Sequence, residues 1–196
     1  MSVEVLRVSG EALMDALDEV ARLRIEVFRE YPYLYDGTKE AEREYLEGYA
    51  ESSGAVLVLA RVDGVVIGAS TGMPMGEADE AFQQPFLQNT ERLENWFYLG
   101  ESVLSGRFRG QGIGHRFFDE REAHARELAF PSVAFCSVVR PQDHPLKPHG
   151  YRSHERFWTK RGYEKRPEWR ASLNWKQIDS GGMDVRNELE FWTRNF

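Results

Sequence analysis

The chain has 196 residues, 25 basic and 32 acidic side chains, a net charge of −7 and an apolar fraction of 41%, which suits one domain over 1–196 with a full core and argues against disorder. The acidic balance disfavours nucleic acid and tilts toward a cationic partner. One cysteine leaves no disulfide framework, and neither a signal-peptide pattern nor the roughly 20 apolar residues that span a bilayer occur, so a cytoplasmic protein with no membrane contact is expected.

Residues 3–8 alternate and read as a short strand. Leu13, Leu17, Val20, Leu23 and Val27 recur at helical spacing, predicting a helix over 10–28 that begins near Ser9 and Glu11 and stops before Pro32. A second, mostly polar helix is expected over 39–50. Two apolar runs flank Asp63-Gly64, a strong hairpin signal. Residues 73–95 are polar with few periodic positions, a long connection whose Phe82, Pro85 and Phe86 suit a lid or a homodimer contact. A strand is predicted over 96–104 and a helix over 113–128, with Ile113, Phe117, Arg121 and Ala125 on one stripe. Residues 132–139 are continuously apolar, as in a strand buried on both faces. A proline-rich loop, a short helix over 153–161 closed by Gly162, and an antiparallel pair over 171–178 and 188–195 complete an α/β chain: a mixed sheet with helices on its faces.

The segment LSGRFRGQGIGHRFF, 104–118, joins a strand to a helix through three glycines. Such a turn leaves main-chain N–H groups unpaired and pointing outward, at a helix start that carries about half a positive charge. Together these suit a phosphate or pyrophosphate. A Cβ at 112 or 114 would hold the anion away from the amides, and Arg107, Arg109 and Arg116 add charge at the rim. A P-loop needs Lys-Ser/Thr after its last glycine, where this chain has His115-Arg116. The dinucleotide fingerprint needs glycines at one, three and six, whereas here they fall at one, three and five.

The run Arg109-Gly110-Gln111-Gly112-Ile113-Gly114, with Leu104 five positions before it, resembles the Arg/Gln-x-x-Gly-x-Gly/Ala signature of the GNAT superfamily of N-acetyltransferases. The element order, including SVAFCSVV followed by a helix ending FWTKRGY, resembles that family along nearly the whole chain. The resemblance implies a central, mostly antiparallel mixed sheet of six to seven strands, helices on both faces and one splayed strand pair. It implies acetyl-CoA as donor, its pyrophosphate on the amides of Gln111 to His115. Its pantetheine arm would pair with backbone near Val103 and Leu104. The acceptor would be a primary amine, by charge more suitably a small molecule than a polymer, attacking the thioester directly.

An alkyl ammonium has a pKa of about 10, so its neutral form costs about 4 kcal/mol at pH 7 and a base is worthwhile. Glu101, in the apolar strand FYLGESVL, is the first choice if burial raises its pKa; the alternative is that it pairs with an arginine at the strand's edge. Tyr98 would face the opposite side unless a bulge intervenes, and could line the acceptor pocket. The family's acid tyrosine would fall at Trp158, four residues before Gly162-Tyr163, and tryptophan cannot protonate a thiolate. Tyr151, ahead of Ser153 and His154, is the expected substitute, or the thiolate takes its proton from water. Glu30, with Glu26 and Asp36, could receive a cationic acceptor, and Tyr33, with Tyr31 and Tyr35, could wall its pocket; the alternatives are a solvated face and ordinary packing. His144 and His149 lie in the loop near where an acceptor would enter, Cys136 reads as core, and no metal site is expected. A noncatalytic acyl-CoA sensor or interaction module is the rival reading, motivated by Trp158.

Overall fold

The computed structural model describes residues 2–9 and 11–196, Glu11 by its backbone alone. Seven strands form one sheet: β1 (Glu4–Val8), β2 (Val56–Val62), β3 (Val65–Pro74), β4 (Trp96–Leu104), β5 (Ser132–Val138), β6 (Glu164–Lys176) and β7 (Asp184–Asn195), in the order β1-β2-β3-β4-β5-β7-β6. Every neighbouring pair is antiparallel except β4 with β5. The helices are α1 (Glu11–Phe28), α2 (Lys39–Glu51), α3 (Glu80–Gln88), α4 (Ile113–Glu127) and α5 (Glu155–Lys160). The expected start of α1 involves Gly10 and the Glu11 side chain, which lie outside the described residues.

Alternation along β2 explains why the sheet is covered twice. Leu57 and Leu59 pack with Leu13, Leu17 and Val20 of α1, while Val56, Val58 and Ala60 pack with Ile113 and Phe117 of α4. The β2–β3 hairpin turns on Asp63 (φ 49°) and Gly64 (φ 81°), two left-handed residues that match the twist of the strands.

Two irregularities in β4 create the cleft. Strands β4 and β5 pair only at Trp96–Ser132, Phe97–Val133 and Tyr98–Ala134, after which β5 continues with β7 alone. Beyond Tyr98 the two strands part. On its other edge, β4 uses three residue steps from Leu99 to Ser102 where β3 uses two from Gly72 to Ser70. That bulge reverses the side-chain alternation. Phe97 and Leu99 therefore face α4, whereas Glu101 faces α1 and α2. Gly100 lies where a Cβ would collide with the Tyr49 hydroxyl and Thr71 Oγ1, so the bulge needs glycine there.

Residues 73–95 differ from expectation. They hold α3, capped by Asp79, whose Oδ1 accepts from the Ala81 N–H at 2.8 Å. Its Phe82 and Phe86 are buried against Tyr98, Trp96, Trp169 and Phe191. A nine-residue helix containing Pro85 carries too few turns to show a periodic stripe; the pair Phe82 and Phe86 at i, i+4 is its one sequence trace.

Candidate active site

Where β4 and β5 part, a cavity of about 560 Å³ runs between the start of α4, the free edges of both strands, α5 and the segment after α1.

At one end, the turn before α4 has Gly110 at φ 77° and Gly112 at φ 82°. A Cβ at either would meet nothing within 4 Å. What demands glycine at these two positions is therefore the left-handed backbone. Gly114 is helical and has only Phe157 Cζ, at 3.9 Å, near its missing Cβ. Gly112 caps α4 without a side-chain acceptor. Among the described residues, the amides of Gln111, Gly112, Ile113 and Gly114 find no protein acceptor, while the His115 N–H donates to the Gly112 carbonyl at 3.0 Å. A row of four unpaired donors thus stands at the positive end of a 15-residue helix. Gly110, Gly112, Gly114, His115 and Arg109 line the cavity. Ile113 is buried beneath the turn as a core residue, and the exposed Gln111 donates its side-chain amide to the Arg107 carbonyl.

Of the rim arginines, Arg109 bridges two walls: it donates to the Leu104 carbonyl at 3.2 Å and to Glu30 at 2.7 Å. Arg116 instead reaches the Val3 carbonyl on β1 and adds no charge to the rim. Leu104 lines the cavity, whereas the Val103 side chain is wholly buried against α1.

At the other end, Glu101 lines the cavity and is buried, 8% exposed. Its Oε1 meets the Arg24 guanidinium from α1, and its Oε2 accepts from the Tyr45 hydroxyl at 3.1 Å. Arg24 is itself buried and also pairs with the buried Glu42. Burial pulls this arginine down, but Glu101, Tyr45 and Glu42 outweigh it and hold Arg24 well above its usual range. The arginine partner of Glu101 therefore exists, in the interior and not at a strand edge. Arg121, also buried, donates to the carbonyls of Thr71 and Glu101 and to Ser102 Oγ, satisfying the ladder positions that the bulge leaves open. Burial lowers it to about 10, despite nearby Tyr163 and carboxylates that push it up.

Tyr33 and Tyr151 line the cavity, and Tyr31 stands between Tyr151 and His144, with ring centroids at 4.7 and 5.7 Å. Burial raises the Tyr151 phenol, and neighbouring Tyr31 raises it further. Burial also raises Tyr33, with Cys136 and Glu101 next in effect. Two expected acceptor residues lie outside the cavity wall. His144 sits behind Tyr31, its Nδ1 accepting from the Leu146 N–H. Tyr98 shares the face of Glu101, as the bulge requires, but stacks on Phe82 beneath the wall, its hydroxyl 3.3 Å from Cys136 Sγ. Cys136 itself lines the cavity, its thiol pushed up to about 12 by burial.

Glu190 of β7 was not among the expected site residues. It is buried, lines the cavity and pairs with Lys165 at 2.6 Å and Arg170 at 3.4 Å. Trp158, in the tyrosine position, packs against Phe135 and Trp192 and also lines the cavity. Among the described residues, no cluster of histidine, cysteine or carboxylate side chains could hold a metal ion, and no helix is long and apolar enough to cross a membrane.

Residues 17–163 match the acetyltransferase (GNAT) family. No curated protein matches the sequence. Among solved structures, the chain is similar to a ribosomal-protein-alanine N-acetyltransferase from Brucella melitensis, at 13% identity and TM-score 0.62, with 98% of this chain and 99% of that one covered. A GNAT-family acetyltransferase from Staphylococcus aureus gives 13% identity and TM-score 0.60 over 99% of both chains. The Thermoplasma acidophilum PaiA N-acetyltransferase, solved in complex with coenzyme A, gives 13% and 0.54 over the full length of both.

Proposed function

The chain belongs to the acetyltransferase (GNAT) family, and from that premise we propose that it moves an acetyl group from acetyl-coenzyme A to a primary amine on a small molecule. The observation that carries this reading is the row of unpaired amides at the start of α4, opening onto a cleft whose strands have already parted. The coenzyme A held by the Thermoplasma acidophilum relative supports the same donor here.

The donor supplies an acetyl thioester: the C–N bond forms as the C–S bond breaks, the amine loses one proton and the departing sulfur gains one. The amides of Gln111 to Gly114 hold the pyrophosphate, with Arg109 beside them. The parted edge of β4 near Leu104 gives the pantetheine arm a strand to lie along. Glu101 takes the amine's proton, directly or through a water, and Arg24 and Tyr45 fix its carboxylate in the wall. Tyr151 gives a proton to the sulfur, an uphill transfer because burial raises its phenol further above the thiol's own range. A thiol of pKa near 8.5 leaves readily, so the acid matters less than the base.

The rival reading, an acyl-coenzyme A sensor without turnover, is favoured by Trp158 and by the Arg24 partner of Glu101. Release of free thiol from acetyl-coenzyme A, followed across a panel of amines, separates the two. Amine-dependent release is expected; tight binding with no release at any pH from 6 to 9 would support the sensor.

A further inference from the structure

We propose that the acceptor is an amine carried on a flat aromatic body, seated against Tyr31, Tyr33 and Tyr151 with its nitrogen toward Glu101. This deepens the acetyl-transfer reading above and rests on it. Phe28 and Tyr33 lie with ring centroids 4.4 Å apart, and Tyr31 meets Tyr151 edge-on at 4.7 Å. All four line the cavity, as do Cys136 and Val138, which offer no charge.

The wall is held from behind. The Arg140 guanidinium donates to the carbonyls of Pro32 at 2.7 Å and Tyr33 at 3.0 Å, and Trp175 Nε1 donates to the same Tyr33 carbonyl at 3.1 Å. Further along, the Ile178 N–H donates to the Leu34 carbonyl and Tyr35 bridges to Gln177. Main-chain polar groups of this segment are thereby satisfied on its outer side, leaving rings to face inward. A preformed aromatic wall costs a flat apolar guest little ordering.

The charges point the same way. Four carboxylates line the cavity among the described residues, and each already has a partner: Glu30 with Arg109, Glu101 with Arg24, Glu155 with Lys165, and Glu190 with Lys165 and Arg170. Among the described residues, then, no free carboxylate of the lining is left to match the several charges of a polyamine. One nitrogen near Glu101 and an uncharged aromatic remainder fit what is there.

The test compares 2-phenylethylamine, n-butylamine and spermidine as acceptors, reading thiol release. The expected kcat/KM for phenylethylamine is at least tenfold above the other two. Tyr31→Leu and Tyr33→Leu should each raise its KM by about tenfold, a larger rise than either gives with n-butylamine; the unfolding midpoint of each variant separates a folding defect from a lost contact, and the two positions test the wall independently. Spermidine or butylamine turned over as well as phenylethylamine, or an unmoved KM in both variants, would overturn the proposal. A second arm measures amine binding to protein saturated with coenzyme A, by calorimetry. No thiol release with any amine would strike the acetyl-transfer reading, and this binding arm would still decide the acceptor class: phenylethylamine bound in preference to the others supports it, and no preference defeats it.

Discussion

At the α4 end of the cleft the groups on offer are consecutive main-chain amides, Gln111 to Gly114. At the far end they are side chains from residues 28–33, 101, 136 and 151, brought together from four separate segments. The first end depends on φ angles and on the start of one helix. The second depends on a bulge, a strapped loop and a chain of buried ion pairs. A backbone site is insensitive to most substitutions but intolerant of a few, whereas a side-chain site can be changed one group at a time.

Glu101→Gln should produce the largest effect at the side-chain end. If Glu101 takes the proton, kcat falls by about 10²-fold or more, with donor affinity unchanged. Because the change also leaves Arg24 with one carboxylate fewer, stability should drop by about 1–3 kcal/mol, visible as a lower unfolding midpoint. A folded variant with full turnover would assign Glu101 to structure alone.

Tyr151→Phe follows, with kcat lowered by about tenfold and the KM for both substrates kept, since the thiol leaves tolerably without help. Stopped-flow measurement of thiol release would check this, and an unaltered kcat would return the proton to water.

A smaller effect comes from Cys136. Its folded thiol is raised to about 12 by burial, while the unfolded thiol titrates near 9. The folded state therefore binds the proton more tightly. The stability this gives is complete below about pH 9 and is lost as pH rises toward 12, at up to about 1.4 kcal/mol per pH unit. Denaturant midpoints between pH 9 and 11 should fall, and Cys136→Ala should flatten part of that fall. An equal slope in the variant would assign the loss to the buried tyrosines.

The same contrast explains what could be read from the chain alone. The glycine turn was legible because its donors are neighbours in sequence, and so were the strands around it, whose apolar runs are long. Arg109 and the glycines could be placed at the cavity, but Arg116 could not be sent to β1. The facing of Tyr98 and Glu101 turned on a bulge that no residue type announces, apart from Gly100. Arg24 and Glu42 could have been suspected: Arg24 lies four residues from both Val20 and Phe28, and Glu42 four before Leu46, so both sit on buried stripes. Glu190 carried a weaker sign, a carboxylate in a strand apolar on both sides. The partners of these three come from distant segments, and no local pattern supplies that.

The most direct test is coenzyme A binding by calorimetry to the native protein, to Gly112→Ala and to Gly64→Ala. Both glycines have open space around the missing Cβ and nearly the same left-handed φ, 82° and 81°, so alanine should cost each a similar strain, about 1–2 kcal/mol, but only position 112 lies at the amides. The expected result is native binding that coenzyme A wins over ATP, weakened by about tenfold or more in Gly112→Ala and unchanged in Gly64→Ala. Equal affinity in all three proteins, or preference for ATP, would contradict the account.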